Sequence, residues 1–268
     1  MTDDLTTQKV EPSEHVRLPI GIEKDGARYR DVVIDELSGV DEALLANKKR
    51  TGGNTAKGLT LVLARAIQEI EGVVPRKRNP DTPIDHMIPR RMYQIDRDFL
   101  FSRIQLLSDR DRTQLRAQCP RCRQVHEEDV YISERPVVEW PEDKPLEFDF
   151  ELARGYVETG RKGEEPKLHK KGTMRFPRGA DQEAVANLMQ ENPGQAMTAI
   201  LAACIVRLGD LENIDQTVTS RLKSRDRKLL FNLIRDKAPG MKMWEIVTCM
   251  NCGYDELEAV IDISAFFG

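Results

Sequence analysis

With 268 residues, 40% of them hydrophobic and 32% charged, the chain has enough apolar content for one large or two modest globular cores. No apolar run approaches the roughly 18 residues that a bilayer span requires. The polar, acidic residues 1–14 do not resemble a secretory leader, so a cytosolic protein without membrane contact is expected, and a formal net charge of −4 gives no electrostatic reason to expect nucleic acid.

In chain order, residues 1–14 read as a flexible arm with little to bury. Val16, Leu18, Ile20 and Ile22, then Tyr29, Val32 and Ile34, alternate on either side of Lys24-Asp25-Gly26. This is the pattern of a β-hairpin closed by an Asp-Gly turn. Asp41 and Glu42 mark the start of a short helix running to about residue 48. Residues 49–58 are glycine-rich, but Lys57 is not followed by the Ser or Thr of a phosphate-binding loop, so the stretch reads as a surface loop. A core-facing helix is expected over 59–71, on the stripe of Leu59, Val62, Leu63, Ala66, Ile67 and Ile70. Pro75, Pro80, Pro83 and Pro89 exclude regular structure from 73–90. A third helix covers 93–107. Its Asp96-Arg97-Asp98 has a catalytic reading, because carboxylates can exchange protons, beside a structural one as helix-start electrostatics with an ion pair. Strands over 113–118 and 125–132 flank Cys119-Pro120-Arg121-Cys122.

A proline- and acid-rich linker over 136–149 places a boundary near Glu134, with a first unit at 15–134 and a second at 135–268. The second unit opens on a strand through Leu146, Phe148, Phe150 and Leu152. It passes a lengthened, charged hairpin tip at 160–172 and returns through Met174 and Phe176. Helices are expected at 181–191, 194–208 and 218–235. A strand through Met243 and Ile246 then reaches Cys249-Met250-Asn251-Cys252-Gly253 and the alternating run 257–267. The basic clusters Arg76-Lys77-Arg78 and His169-Lys170-Lys171 read as solvated loops, and Cys204, on an apolar helical stripe, reads as a buried thiol.

The two Cys-x-x-Cys knuckles each lead into a strand, as the halves of a tetrathiolate zinc ribbon do. They lie 130 residues apart, where a ribbon ordinarily spaces them by about 15 to 20. A repeat accounts for the distance. A shift of 130 lays Asp96 on Asp226, Arg97 on Arg227, Leu100 on Leu230, Phe101 on Phe231 and Ile104 on Ile234; a shift of 138 lays Thr60-Leu61-Val62 on Thr198-Ala199-Ile200; a shift of 140 lays Gly39-Val40-Asp41 on Gly179-Ala180-Asp181. The expected fold is therefore α+β, a tandem duplication of a hairpin-plus-helices unit whose two knuckles join in one zinc ribbon. Cys119, Cys122, Cys249 and Cys252 are the expected ligands of one structural Zn2+. His126 has ligand-like spacing from Cys122, but four thiolates already complete a tetrahedron, and His126 reads as a solvated strand residue. A closed four-sulfur site implies scaffolding and not catalysis, so no enzyme is expected.

Leu18-Pro19-Ile20-Gly21, Leu37-Ser38-Gly39-Val40-Asp41-Glu42, Asp96-Arg97-Asp98-Phe99-Leu100 and the late Cys-x-x-Cys-Gly followed by Ile261-Asp262-Ile263 and Phe266-Phe267 together resemble the small baseplate proteins of contractile-tailed bacteriophages and phage-tail-like injection systems. The resemblance implies a structural or assembly component of the virion tail baseplate, at its hub or wedge end. It would be made in the host bacterial cytoplasm and held to neighbouring tail proteins in a multi-subunit symmetric assembly. The alternative is a zinc-ribbon nucleic-acid-binding adaptor, which calls for a basic face with exposed aromatics; an aromatic content of 6% and a negative net charge speak against it.

Overall fold

A computed structural model describes residues 12–46, 51–159 and 165–261. The mixed α/β chain begins with strands β1 (His15–Lys24) and β2 (Ala27–Ile34), then helices α1 (Gly39–Ala46) and α2 (Thr55–Ala66) and strand β3 (Ile67–Ile70). Helices α3 (Met87–Arg91) and α4 (Gln94–Leu107) precede β4 (Arg112–Gln118), β5 (Val125–Tyr131) and the short β6 (Val137–Val138). A closely similar order follows: β7 (Glu147–Glu158), β8 (Lys167–Arg175), α5 (Gly179–Glu191), α6 (Pro193–Cys204), β9 (Ile205–Leu208), α7 (Gln216–Arg221) and α8 (Ser224–Lys237). Strands β10 (Gly240–Met241), β11 (Trp244–Val247) and β12 (Leu257–Ile261) complete the described chain. Among the described residues no helix is long and apolar enough to cross a membrane.

Two three-stranded antiparallel sheets, β1-β2-β3 and β7-β8-β9, each support a helical layer. The first core gathers Leu18, Val32, Ile34, Val62, Leu63, Leu100 and Ile104. The second gathers Phe148, Phe150, Leu152, Phe176, Leu201 and Leu230, and takes in Ile20, Tyr93 and Trp140 from earlier in the chain. Hairpin β1-β2 turns at Asp25 (φ 52°) and Gly26 (φ 79°), the left-handed pair that matches strand twist. Helix α2 starts on Asn54, whose Oδ1 accepts from Lys57 N–H at 2.9 Å. Asn192 caps α6 in the same way, accepting from Gln195 N–H at 3.1 Å, with Pro193 in the first turn.

Several sequence expectations are corrected here. The helices expected over 59–71 and 194–208 end at Ala66 and Cys204, and the next four residues are strands β3 and β9. Ile67 pairs with Ile34, and Ile205 with Met174. These isoleucines fit the apolar stripe of a helix equally well, so periodicity cannot see the switch. The glycine-rich stretch is not all loop, because α2 begins at Thr55; residues 47–50 lie outside the described set. The helix expected over 218–235 is two helices, parted at extended Leu222 and Lys223. Lys167 to Gly172, expected in a hairpin tip, lies within β8; residues 160–164 lie outside the described set, as do 1–11 of the expected arm and 262–268 of the expected last strand.

Of the two basic clusters, Arg76, Arg78, Lys170 and Lys171 are exposed as expected, while Lys77 and His169 are drawn inward. Lys77 Nζ donates to the Arg65 carbonyl at the C-terminus of α2 at 2.7 Å, where a cation meets the negative end of the helix. His169 is buried, its Nε2 2.9 Å from Glu158 Oε2. Glycine is required at 209, because a Cβ there would fall on the His169 ring. The 136–149 segment is tied down over its first residues: β6 pairs with β10, and Trp140 N–H donates to the Pro19 carbonyl at 2.8 Å while its ring meets Phe176 edge-on.

Asp96 and Arg97 of the Asp-Arg-Asp stretch make long-range structural bonds. Asp96, fully buried, accepts the backbone N–H groups of Ile20 (2.8 Å) and Gly21 (2.9 Å) where β1 shifts register. Asp226, also fully buried, accepts those of Ala153, Arg154 and Gly155 where β7 shifts register. Gly21 and Gly155 both have positive φ, 98° and 80°, and a Cβ at either would meet backbone oxygen below 3 Å. Beside them, Arg97 donates to Thr60 Oγ1 (2.9 Å) and the Ala56 carbonyl (2.8 Å), and Arg227 to Thr198 Oγ1 (2.9 Å) and the Gly194 carbonyl (3.1 Å). The guanidinium of Arg97 makes its hydrogen bonds to these longer-range partners, while the charge attraction between Arg97 and Asp98 persists.

Burial pushes the Asp96 carboxyl up to about 7, against the pull of its two N–H donors. The unfolded chain releases this proton near pH 4. Since the folded value is the higher one, this group's contribution is largest below about pH 4 and is lost as pH rises through about 7. Urea unfolding of wild type and Asp96→Asn across that window is expected to give a smaller fall in stability with pH for the variant; identical slopes would remove Asp96 from the account.

Candidate metal centre

The knuckles sit on one four-stranded antiparallel sheet of order β11-β12-β4-β5. Strands β4 and β5 come from before residue 135 and β11 and β12 from near the end of the described chain. They are joined where Val260 pairs with Arg116 and Ile261 with Leu115. Leu115, Ala117, Leu257, Ala259 and Ile261 form a small core on the sheet's inner face, continuous with Cys119 and Cys249. Alternation along β4 and β12 places these residues on one side, so apolar burial brings two distant stretches to the same spot.

Each knuckle is a tight backbone loop. Cys119 N–H donates to the Gln124 carbonyl and Arg123 N–H returns to the Cys119 carbonyl, at 2.9 and 2.8 Å; Cys249 N–H donates to the Tyr254 carbonyl and Gly253 N–H returns to Cys249, at 2.7 and 2.8 Å. The residue after each second cysteine is left-handed, Arg123 at φ 62° and Gly253 at φ 69°. This arrangement directs both thiols of a knuckle inward.

All five cysteines are free thiols. The Sγ atoms of Cys119, Cys122, Cys249 and Cys252 lie within 4.8 Å of one another, with Cys119 to Cys252 and Cys122 to Cys249 both at 3.6 Å. Four sulfurs bonded at about 2.3 Å to a tetrahedral ion stand about 3.8 Å apart, so the cluster has the dimensions of a tetrathiolate metal site. Soft thiolates restrict the choice to metals such as zinc, iron in clusters or cuprous copper. The Asn251 side-chain amide, followed by the Gln124 N–H, holds the Cys122 thiol down to about 6, while, against the pull of the Tyr254 N–H, burial and the neighbouring thiols push Cys252 up to about 12, so the thiols of the cluster titrate together as one group.

All four expected ligands are therefore brought together, each knuckle supplying one buried and one half-buried sulfur. The fifth cysteine, Cys204, is separate and fully buried in the second core, where burial pushes its thiol up to about 12. His126 is less of a bystander than expected. It lies on β5 opposite Ala117, with Nε2 3.1 Å from Cys249 Sγ, the position of an outer-sphere donor that orients a ligand and tempers its charge. Asn251 was not foreseen; its one signal in the sequence is its place inside the second knuckle. His126→Ala is expected to weaken metal affinity by about 10- to 100-fold, read by competition with a chromophoric chelator, and unchanged affinity would reduce the contact to packing. Asp98, the remaining acid of the helix-start stretch, lines a separate cleft of about 350 Å³ with Phe99, Ile234 and Trp244.

In comparison with known proteins, no family model matches the chain, and neither a curated protein nor a solved structure matches it.

Proposed function

We propose that this chain is a structural protein built by tandem duplication of one α+β module, in which a single Zn2+ held by Cys119, Cys122, Cys249 and Cys252 clasps the two copies together. The observation that carries the reading is the four-sulfur cluster drawn from knuckles 130 residues apart. Four protein ligands leave a tetrahedral ion no position for substrate, so its work is to hold strands from both halves in one sheet. The duplication is supported by recurrent chemistry: Asp96 and Asp226 on the strand bulges, Arg97 and Arg227 on Thr60 and Thr198, and Asn54 and Asn192 as caps. Long irregular stretches leave each module with limited burial, and ion binding coupled to folding offsets that.

The assembly in which such a scaffold acts is, on the resemblance of its motifs, the baseplate of a contractile tail, with neighbouring tail proteins as partners. Localisation in purified tail particles and their assembly precursors by cryo-electron microscopy tests this. Density for the chain at the baseplate, or its capture with baseplate precursors, is the expected result. Absence from both, together with a salt-sensitive shift of DNA, would favour the nucleic-acid adaptor instead.

A further inference from the structure

The helical layers of the two halves are alike in build and unlike in cover. In the first half, α5 lies across α2, α3 and the start of α4. Asn54 Nδ2 donates to the Glu183 carbonyl at 2.8 Å, Thr60 donates to the Glu183 carboxylate, and Arg90 Nε pairs with that carboxylate at 2.8 Å. The chain entering α5 adds a backbone pairing, with Gln94 N–H donating to Pro177 and Gly179 N–H to Met92, both at 2.9 Å. Gly179 has no room for a side chain, since a Cβ there would fall on the Arg97 guanidinium. Arg97 is sealed at 0% exposure.

Among the described residues no helix covers the counterpart surface of the second half in this way. Asn192 is exposed and Arg227 half-buried, although both keep the local bonds of Asn54 and Arg97. The counterpart of α5 is α1. At its start Gly39 takes the place of Gly179, yet nothing among the described residues lies within 4 Å of a Cβ built there. Val40, the next residue, is 63% exposed. The Arg90–Glu183 ion pair is replaced on both sides at once, by Ser220 and Ala43 in the corresponding positions, so docking α1 on the second half leaves neither partner of that pair stranded.

We propose that a second copy of this chain docks through the start of its α1, Gly39 foremost, onto the surface of exposed Asn192 and half-buried Arg227, in the way α5 covers the first half. The inference rests on reading the two halves as copies of one module. In this contact Ser224 N–H donates to the Leu37 carbonyl of the incoming copy, and Gly39 N–H to the Leu222 carbonyl. The surfaces joined are different ones, so the contact is head-to-tail and repeats, into a ring where its rotation closes and a filament where it does not.

Sedimentation equilibrium of the full chain, with zinc content measured on the same samples, tests this. Wild type is expected to gain mass with concentration. Gly39→Leu, which has open space among the described residues, is expected to stay monomeric with an unchanged melting temperature, as is Val40→Glu beside it at the exposed start of α1. Ser224→Pro blocks the opposite face: it stands at the first position of α8, which accepts proline, after Lys223 already extended at φ −68° and ψ 150°. A mixture of Gly39→Leu and Ser224→Pro is expected to yield dimers and nothing larger, because each supplies the face the other lacks. A zinc-loaded wild type that stays monomeric to its solubility limit overturns the docking and leaves the scaffold reading standing; so does association untouched by all three variants.

Discussion

Replacing Cys252 by Ser is expected to release the metal and lower stability by about 4 kcal/mol or more, a fall in melting temperature of roughly 8–16 °C for a chain of this size. The loss is expected to exceed that of an ordinary polar exchange because the proposed ion would join β4-β5 to β11-β12, which among the described residues pair through Val260 with Arg116 and Ile261 with Leu115. Without the ion, the small core of Leu115, Ala117, Leu257, Ala259 and Ile261 is the main apolar tie between the two hairpins. Cys119→Ser should behave alike, since its sulfur faces that of Cys252 at 3.6 Å. Cys204→Ala is the control: it trims a buried thiol in a different core, keeps the metal and costs about 1 kcal/mol. Metal content and melting temperature measured together decide the matter, and a Cys252→Ser protein as stable as wild type would mean that the cluster carries no structural load.

The second large effect is expected at the buried aspartates. Asp226→Ala withdraws the acceptor from three consecutive backbone N–H groups, Ala153, Arg154 and Gly155. Each buried donor left without an acceptor costs about 1–3 kcal/mol, less where the backbone relaxes toward water. A loss of about 3–5 kcal/mol in urea unfolding is expected. Asp96→Ala, which withdraws two bonds in place of three, is expected to lose less. Asn at either position is expected to fall between, because an amide keeps one acceptor oxygen but turns a donor toward donors. Losses below about 1 kcal/mol at both sites would mean that the bulges hold their shape unaided.

Those aspartates also mark where the sequence was readable and where it was not. Their recurrence at a shift of 130 was visible, but their partners were not, because the bond runs from a helix to a bulge some 75 residues earlier, and nothing local encodes such a pairing. The β1-β2 hairpin was legible because an Asp-Gly turn and strict alternation are both short-range signals. The knuckles were legible for the same reason: two residues of spacing fix the bite of two thiols wherever the partner knuckle lies. Ile67 and Ile205 were misread because a residue buried in either a helix or a strand has the same apolar signature, and only the pairing with Ile34 and Met174 decides. His126 was weighed by spacing along the chain, whereas its nearest sulfur is that of Cys249, which reaches it from the other end of the polypeptide.

X-ray absorption at the zinc edge, with metal stoichiometry on the same purified chain, tests the clasp most directly. The account predicts one zinc per chain surrounded by four sulfur atoms at about 2.3 Å. Two ions per chain, or one ion with only two sulfur neighbours, would mean that each knuckle works alone and would contradict it.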